Sequence, residues 1–138
     1  MAQTVRDVMT ADPATIDSSQ TTQDLATLMR EHDTGAIIVT EDGRVVGIAT
    51  DRDIAIRAVA EGKGPETQVR EVCSVGIETV APDYSIEQAI QLMRQRAVRR
   101  LPVVENDRAV GILSIGDLAI ERDSDSALAD ISAAEGNT

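Results

Sequence analysis

Arg44-Val45-Val46-Gly47-Ile48-Ala49-Thr50-Asp51-Arg52-Asp53-Ile54 returns 64 positions later as Arg108-Ala109-Val110-Gly111-Ile112-Leu113-Ser114-Ile115-Gly116-Asp117-Leu118. Each stretch is an apolar run that ends in Thr or Ser, with Asp three residues on. That is how a strand running into a capped helix reads, because the hydroxyl and the later carboxylate can satisfy the first free N–H groups of the helix. The same offset aligns the flanking sequence. Val5-Arg6-Asp7-Val8 falls on Val69-Arg70-Glu71-Val72, Thr15-Ile16 on Thr79-Val80, and Leu28-Met29-Arg30 on Leu92-Met93-Arg94. Over residues 5–56, 16 of 52 ungapped pairs are identical, well above what unrelated segments give. The chain is a tandem duplication.

Each copy predicts the same order of elements. A helical turn (4–10; 68–74) precedes a short strand at Thr15-Ile16 or Glu78-Thr79-Val80. An amphipathic helix follows (20–32; 84–97), with apolar residues at spacings of three and four. Then comes a strand pair, 36–40 with 44–49 around Glu41-Asp42-Gly43, and 101–105 with 109–113 around Asn106-Asp107-Arg108. A second helix closes each copy (51–61; 115–123). The fold class is α+β, two β-α-β-β-α units. The organisation expected is a first repeat with its N-terminal turn at 1–61, a linker at 62–68 rich in Gly and Pro, a second repeat at 69–123 and a flexible acidic tail at 124–138.

Composition narrows the function. The chain has 138 residues, a net charge of −11, and Tyr84 as its one aromatic residue. Acidity disfavours nucleic acid and anionic membranes, and the lack of aromatic rings removes stacking platforms for single strands. No nucleic-acid or membrane partner is expected. No apolar run is long enough to cross a bilayer and no signal peptide is evident, so the expected location is cytoplasmic. A single cysteine, Cys73, excludes an intrachain disulfide, and no zinc ligand set is present. His32, the one histidine, reads as the end of the first long helix, and Cys73 as semi-buried filler. The carboxylates are dispersed. No catalytic or metal-binding residue is assigned, and the protein is expected not to be an enzyme.

The recurrent Gly-x-x-Thr/Ser-x-x-Asp pattern carries the binding expectation. Capping alone explains Thr50, Asp53, Ser114 and Asp117. The preceding glycine goes further, since it permits close approach of a ligand or of another chain segment. A helix start also offers free N–H groups, and an Asp there can accept two hydrogen bonds from a ribose diol. Arg99-Arg100-Leu101-Pro102 enters the second strand of copy two. Adjacent arginines at a strand start point to opposite faces, so one can meet a phosphate. Copy one has Gly35, Ala36 and Ile38 where copy two has Arg99, Arg100 and Pro102.

Taken together, these motifs resemble a tandem CBS-domain pair, or Bateman module, over about residues 4–123. Met29-Arg30-Glu31-His32-Asp33 and Thr50-Asp51-Arg52-Asp53-Ile54 further resemble the small stand-alone members of the actinobacterial hypoxic-response type. The resemblance implies two units related by a pseudo-two-fold axis, with two clefts between them that take AMP, ADP, ATP or S-adenosylmethionine as a regulatory ligand. It implies a homodimer, commonly a flat disc, acting in trans on an unidentified protein target. By motif position, Asp53 and Asp117 would bind ribose hydroxyls, and Thr50 and Ser114 ribose or phosphate. Thr15, Ile16, Thr79 and Val80 would line the adenine pocket. Arg99 or Arg100, at the Leu101-Pro102 strand entry, would neutralise phosphate. No cofactor is required. The alternative is a ligand-free, stress-related dimer with vestigial clefts. Because the arginines occur in one copy only, the two clefts are expected to be unequal.

Overall fold

The computed structural model describes residues 4–122; the expected tail at 124–138 lies outside them. Helices are α1 (Val5–Val8), α2 (Thr22–His32), α3 (Asp51–Asp53), α4 (Ile86–Arg96) and α5 (Ile115–Arg122). Strands are β1 (Thr10–Ala11), β2 (Thr15–Asp17), β3 (Ala36–Glu41), β4 (Arg44–Thr50), β5 (Ser74–Val75), β6 (Arg100–Glu105) and β7 (Arg108–Ser114). Helix α3 continues as a π-helical stretch, Ile54–Val59, in which the Ala60 N–H reaches back five residues to the Ala55 carbonyl at 2.9 Å.

The long helices begin two residues after the expected starts at 20 and 84. Thr21 caps α2 and Ser85 caps α4, each hydroxyl accepting from the backbone N–H of the residue three on, Asp24 or Gln88. Both helices end on a left-handed residue, Asp33 at φ 50° and Ala97 at φ 53°. The two hairpins turn through paired left-handed residues, Asp42 with Gly43 and Asn106 with Asp107. That matches the right-handed twist of the strands. Asn106-Asp107 thus makes the same turn as Asp42-Gly43 without a glycine.

Two compact units result, and their borders differ from those of the repeats. One unit runs from Pro13 to Ile77; the other joins the residues up to Asp12 to those from Glu78 onward. In the first, the sheet order is β2-β3-β4-β5, with β2 parallel to β3 and the other pairs antiparallel. Its core gathers Ile16, Leu25, Ile37, Val39, Val69 and Val72. In the second, the order is β1-β7-β6, all antiparallel. Its core gathers Val5, Val80, Ala89, Leu101, Val103 and Leu113. Each unit therefore combines the body of one sequence copy with the lead-in of the other. The lead-in of copy one supplies α1 and β1 to the second unit. The lead-in of copy two supplies a 3₁₀ turn (Val69–Glu71) and β5 to the first.

The strand expected at Glu78-Thr79-Val80 is reduced to one bridge, Val80 beside Val103. Its counterpart β2 is a full strand, partly because the Ile38 N–H donates to the Ala14 carbonyl at 3.3 Å. The aligned donor in copy two is Pro102, which has no N–H to offer Glu78. What survives is Val80 N–H to the Pro102 carbonyl at 3.1 Å and Val104 N–H to the Val80 carbonyl at 2.8 Å.

The same lead-ins account for the motif glycines. Strand β5 lies on β4 with Val75 opposite Gly47, and β1 lies on β7 with Ala11 opposite Gly111. A Cβ on Gly47 would run into the Ser74 carbonyl, and one on Gly111 into the Met9 side chain and the Thr10 carbonyl. Of the two partners a motif glycine can admit, ligand or chain, the structure supplies the chain.

Candidate functional site

The antiparallel register of each hairpin brings the end of its last strand beside the start of the one before. Arg100 stands opposite Ser114, and the Ile115 N–H donates to the Arg99 carbonyl at 2.9 Å. Arg99, Arg100 and the Ser114–Asp117 turn thus share one end of the sheet. Around the motif a reciprocal box forms. The Asp117 N–H donates to Ser114 Oγ at 3.1 Å, and the Ser114 N–H donates to Asp117 Oδ2, also at 3.1 Å. Asp117 Oδ1 has no hydrogen bond or ion pair to any described residue, and neither has the exposed guanidinium of Arg99. Arg100 is half-buried and already engaged.

In the first unit Ala36 stands opposite Thr50, and the Asp51 N–H donates to the Gly35 carbonyl at 3.0 Å. The box repeats there: Asp53 N–H to Thr50 Oγ1 at 3.1 Å and Thr50 N–H to Asp53 Oδ2 at 2.9 Å. Here the other carboxylate oxygen is occupied, since Asp53 Oδ1 lies 3.8 Å from Arg57 Nε. Sequence reading passed over Arg57, although its i, i+4 spacing from Asp53 is the signal for such a pair.

The remaining expected site residues divide by burial. Thr15 is exposed and Thr79 half-buried. Ile16, Val80 and Leu101 are at most 2 % exposed and belong to the two cores, so their side chains are committed to packing. Pro102 is buried too. A cavity of about 560 Å³ opens between α4 and α5, lined by apolar side chains such as Ile90, Met93 and Leu118 together with Arg94 and Arg99. Asp117 and Ser114 do not line it.

Cys73 is a core residue of the first unit, 7 % exposed. Burial, followed by the Asp53 carboxylate, pushes its thiol pKa up, which suppresses the reactive thiolate. We expect Cys73 to resist a thiol reagent in the native protein at pH 8 and to react at the rate of a free thiol in denaturant. Rapid native labelling would show the site to be open. Among the described residues no three His, Cys, Asp or Glu side chains converge as a metal site would require, and no helix is long and apolar enough to cross a membrane.

The family model for the CBS domain matches the chain twice, at residues 5–59 and 69–123. The chain belongs to the CBS-domain family. CBS pairs are regulatory modules that commonly bind adenosyl ligands. Among the relatives of this CBS pair is a CBS domain-containing protein of Bacillus subtilis, YhcV, 46 % identical over 93 % of this chain and 94 % of its own. A crystal structure of hypoxic response protein I with two coordinated zinc ions superposes with a TM-score of 0.77 at 37 % identity, covering 84 % of this chain and 96 % of that one. A hexameric CBS-CP12 protein from bloom-forming cyanobacteria gives a TM-score of 0.78 at 29 % identity, over 89 % of this chain and 70 % of that one. The chain is thus a CBS pair of α+β fold, with a hypoxic-response protein among its structural neighbours.

Proposed function

We propose that this CBS pair is a non-enzymatic sensor that binds an adenosyl nucleotide, of the AMP, ADP, ATP or S-adenosylmethionine type, and acts in trans on a protein target. The observation that carries this reading is the state of the second-repeat motif. Asp117 uses one carboxylate oxygen for its helix cap, its other oxygen has no partner among the described residues, and Arg99, likewise without one among them, enters the same sheet end. A carboxylate and an arginine at one end of the sheet suit a ribose diol joined to a phosphate. Ser114, Arg100 and the backbone at Thr79 and Val80 complete the proposed site. Thr50, Asp53 and the backbone at Thr15 and Ile16 form its weaker counterpart in the first repeat.

Self-association belongs to the same proposal. Ile56 and Val59 are large apolar side chains of the helix that closes the first repeat, 50 % and 69 % exposed. Such surface favours burial against a second copy, and a structurally similar CBS protein is hexameric.

Calorimetric titration with AMP, ADP, ATP and S-adenosylmethionine tests the ligand. Binding should weaken at least tenfold in Asp117→Asn, because a hydrogen bond to a charged group contributes about 1.5–3 kcal/mol, and less in Asp53→Asn. Asparagine keeps the cap acceptor, so the helix start survives the change. Native mass spectrometry of freshly purified protein reports retained ligand and oligomer mass together. Silence toward all four ligands would leave the ligand-free dimer as the better reading.

A further inference from the structure

The two motif carboxylates differ in what already holds them. Arg57 sits at the centre of that difference. Its Nε faces Asp53 Oδ1 at 3.8 Å, and its Nη1 donates to the Cys73 carbonyl at 3.2 Å. Cys73 directly precedes β5, whose Ser74 and Val75 lie on β4 at Ile48 and Gly47. One guanidinium therefore joins the motif carboxylate to the backbone that leads into the edge strand. Asp53 is well covered there, its side chain 14 % exposed against 50 % for Arg57. In copy two the position aligned with Arg57 is Glu121, an acid that offers Asp117 no cation.

We propose that Arg57 is the specificity-determining and positioning residue of the first-repeat site: it holds the Asp53 oxygen that a ribose diol would take and ties that oxygen to strand β5. The proposal rests on reading Asp53 as a ribose-binding group. A ligand entering at Asp53 must displace the guanidinium. The displaced cation needs a new anion, so an adenosyl ligand bearing a phosphate is favoured over a neutral nucleoside. Displacement also releases the Cys73 carbonyl, so occupancy of the site is transmitted to the attachment of β5 on β4.

Two measurements test this separately. Hydrogen exchange on the ligand-free protein compares wild type with Arg57→Gln, and with Arg52→Gln as a control from the start of the same helix. Amides at 47–48 and 74–75 should exchange about two- to fivefold faster in Arg57→Gln alone, the range expected for a partly exposed ion pair. Equal rates in all three proteins would overturn the tie to β5, whether or not any ligand binds. Titration in an Asp117→Asn background, which weakens binding at the second repeat, compares adenosine with AMP. Arg57→Gln should tighten adenosine binding about two- to fivefold and narrow the preference for AMP. Adenosine binding that is unchanged or weaker in Arg57→Gln would overturn the competition. If neither compound binds any variant, the ribose reading of Asp53 has failed, and with it the specificity role; the exchange result still decides whether Arg57 anchors β5.

Discussion

Gly47→Ala should destabilise the Pro13–Ile77 unit by about 2–3 kcal/mol, at the upper end of the cost of overpacking a filled interior. One added methyl group has this effect because of what it meets. The obstacle is the Ser74 carbonyl, a backbone atom of a paired strand, and no side-chain rotation can clear it. The hairpin register must hold or β5 must leave. The register is pinned by six aligned pairs between β3 and β4, so β5 is the part that gives way. Chemical denaturation would report the loss in midpoint, and hydrogen exchange would place the first unprotected amides at 74–75. A variant as stable as wild type would mean that β5 is not seated on Gly47. Proteins of this size have only about 5–15 kcal/mol of stability in total, so the change is a large one.

Leu101→Ala should cost more, about 3–4 kcal/mol. Leu101 is 1 % exposed and packs among Val5, Val80, Met93 and Leu113 in the core of the second unit. Truncating a buried leucine loses its transfer free energy and leaves a cavity that a rigid sheet cannot collapse to fill. The distribution of the damage is as informative as its size. Val5 and β1 share a unit with Leu101, though 90 or more residues separate them, whereas Val69 and β5 belong to the other. Exchange protection should therefore fall at 5–11 along with 80–118, ahead of any loss at 69–75. The opposite order would contradict the partition of the chain into these units.

Local physics made much of this readable in advance. Thr50 and Ser114 announced their helices because a capping box is a contact between residues three apart. The hairpins at Asp42-Gly43 and Asn106-Asp107 were equally local, and the 64-residue offset carried each assignment from one copy to the other. What stayed hidden was set by long-range pairing. Strands β1 and β5 are two residues each, too short for any alternation to register, and their partners lie about 100 and about 27 positions away along the chain. Pro102 stood in plain view, yet its effect was on the strand expected at Glu78–Val80, through a donor it lacks. At the candidate site, the sequence marked both carboxylates and both arginines. It did not show that Ile16, Val80 and Leu101 face the cores, because an apolar residue in a short strand reads the same whichever side it faces. Arg57 was not marked by the repeat, because the aligned position in copy two is Glu121.

The traded lead-ins bear on how this chain can be cut. A fragment ending at Glu61 would carry Val5–Ala11 with no β7 to receive it, and would leave the outer edge of β4 without Ser74–Val75. An uncovered strand edge invites pairing with other molecules. The natural excision for the first half is 13–77, with its borrowed strand included. The same topology describes what a single ancestral copy would have faced: its lead-in could complete a sheet only by reaching into a second molecule. With both copies in one chain, that exchange is internal.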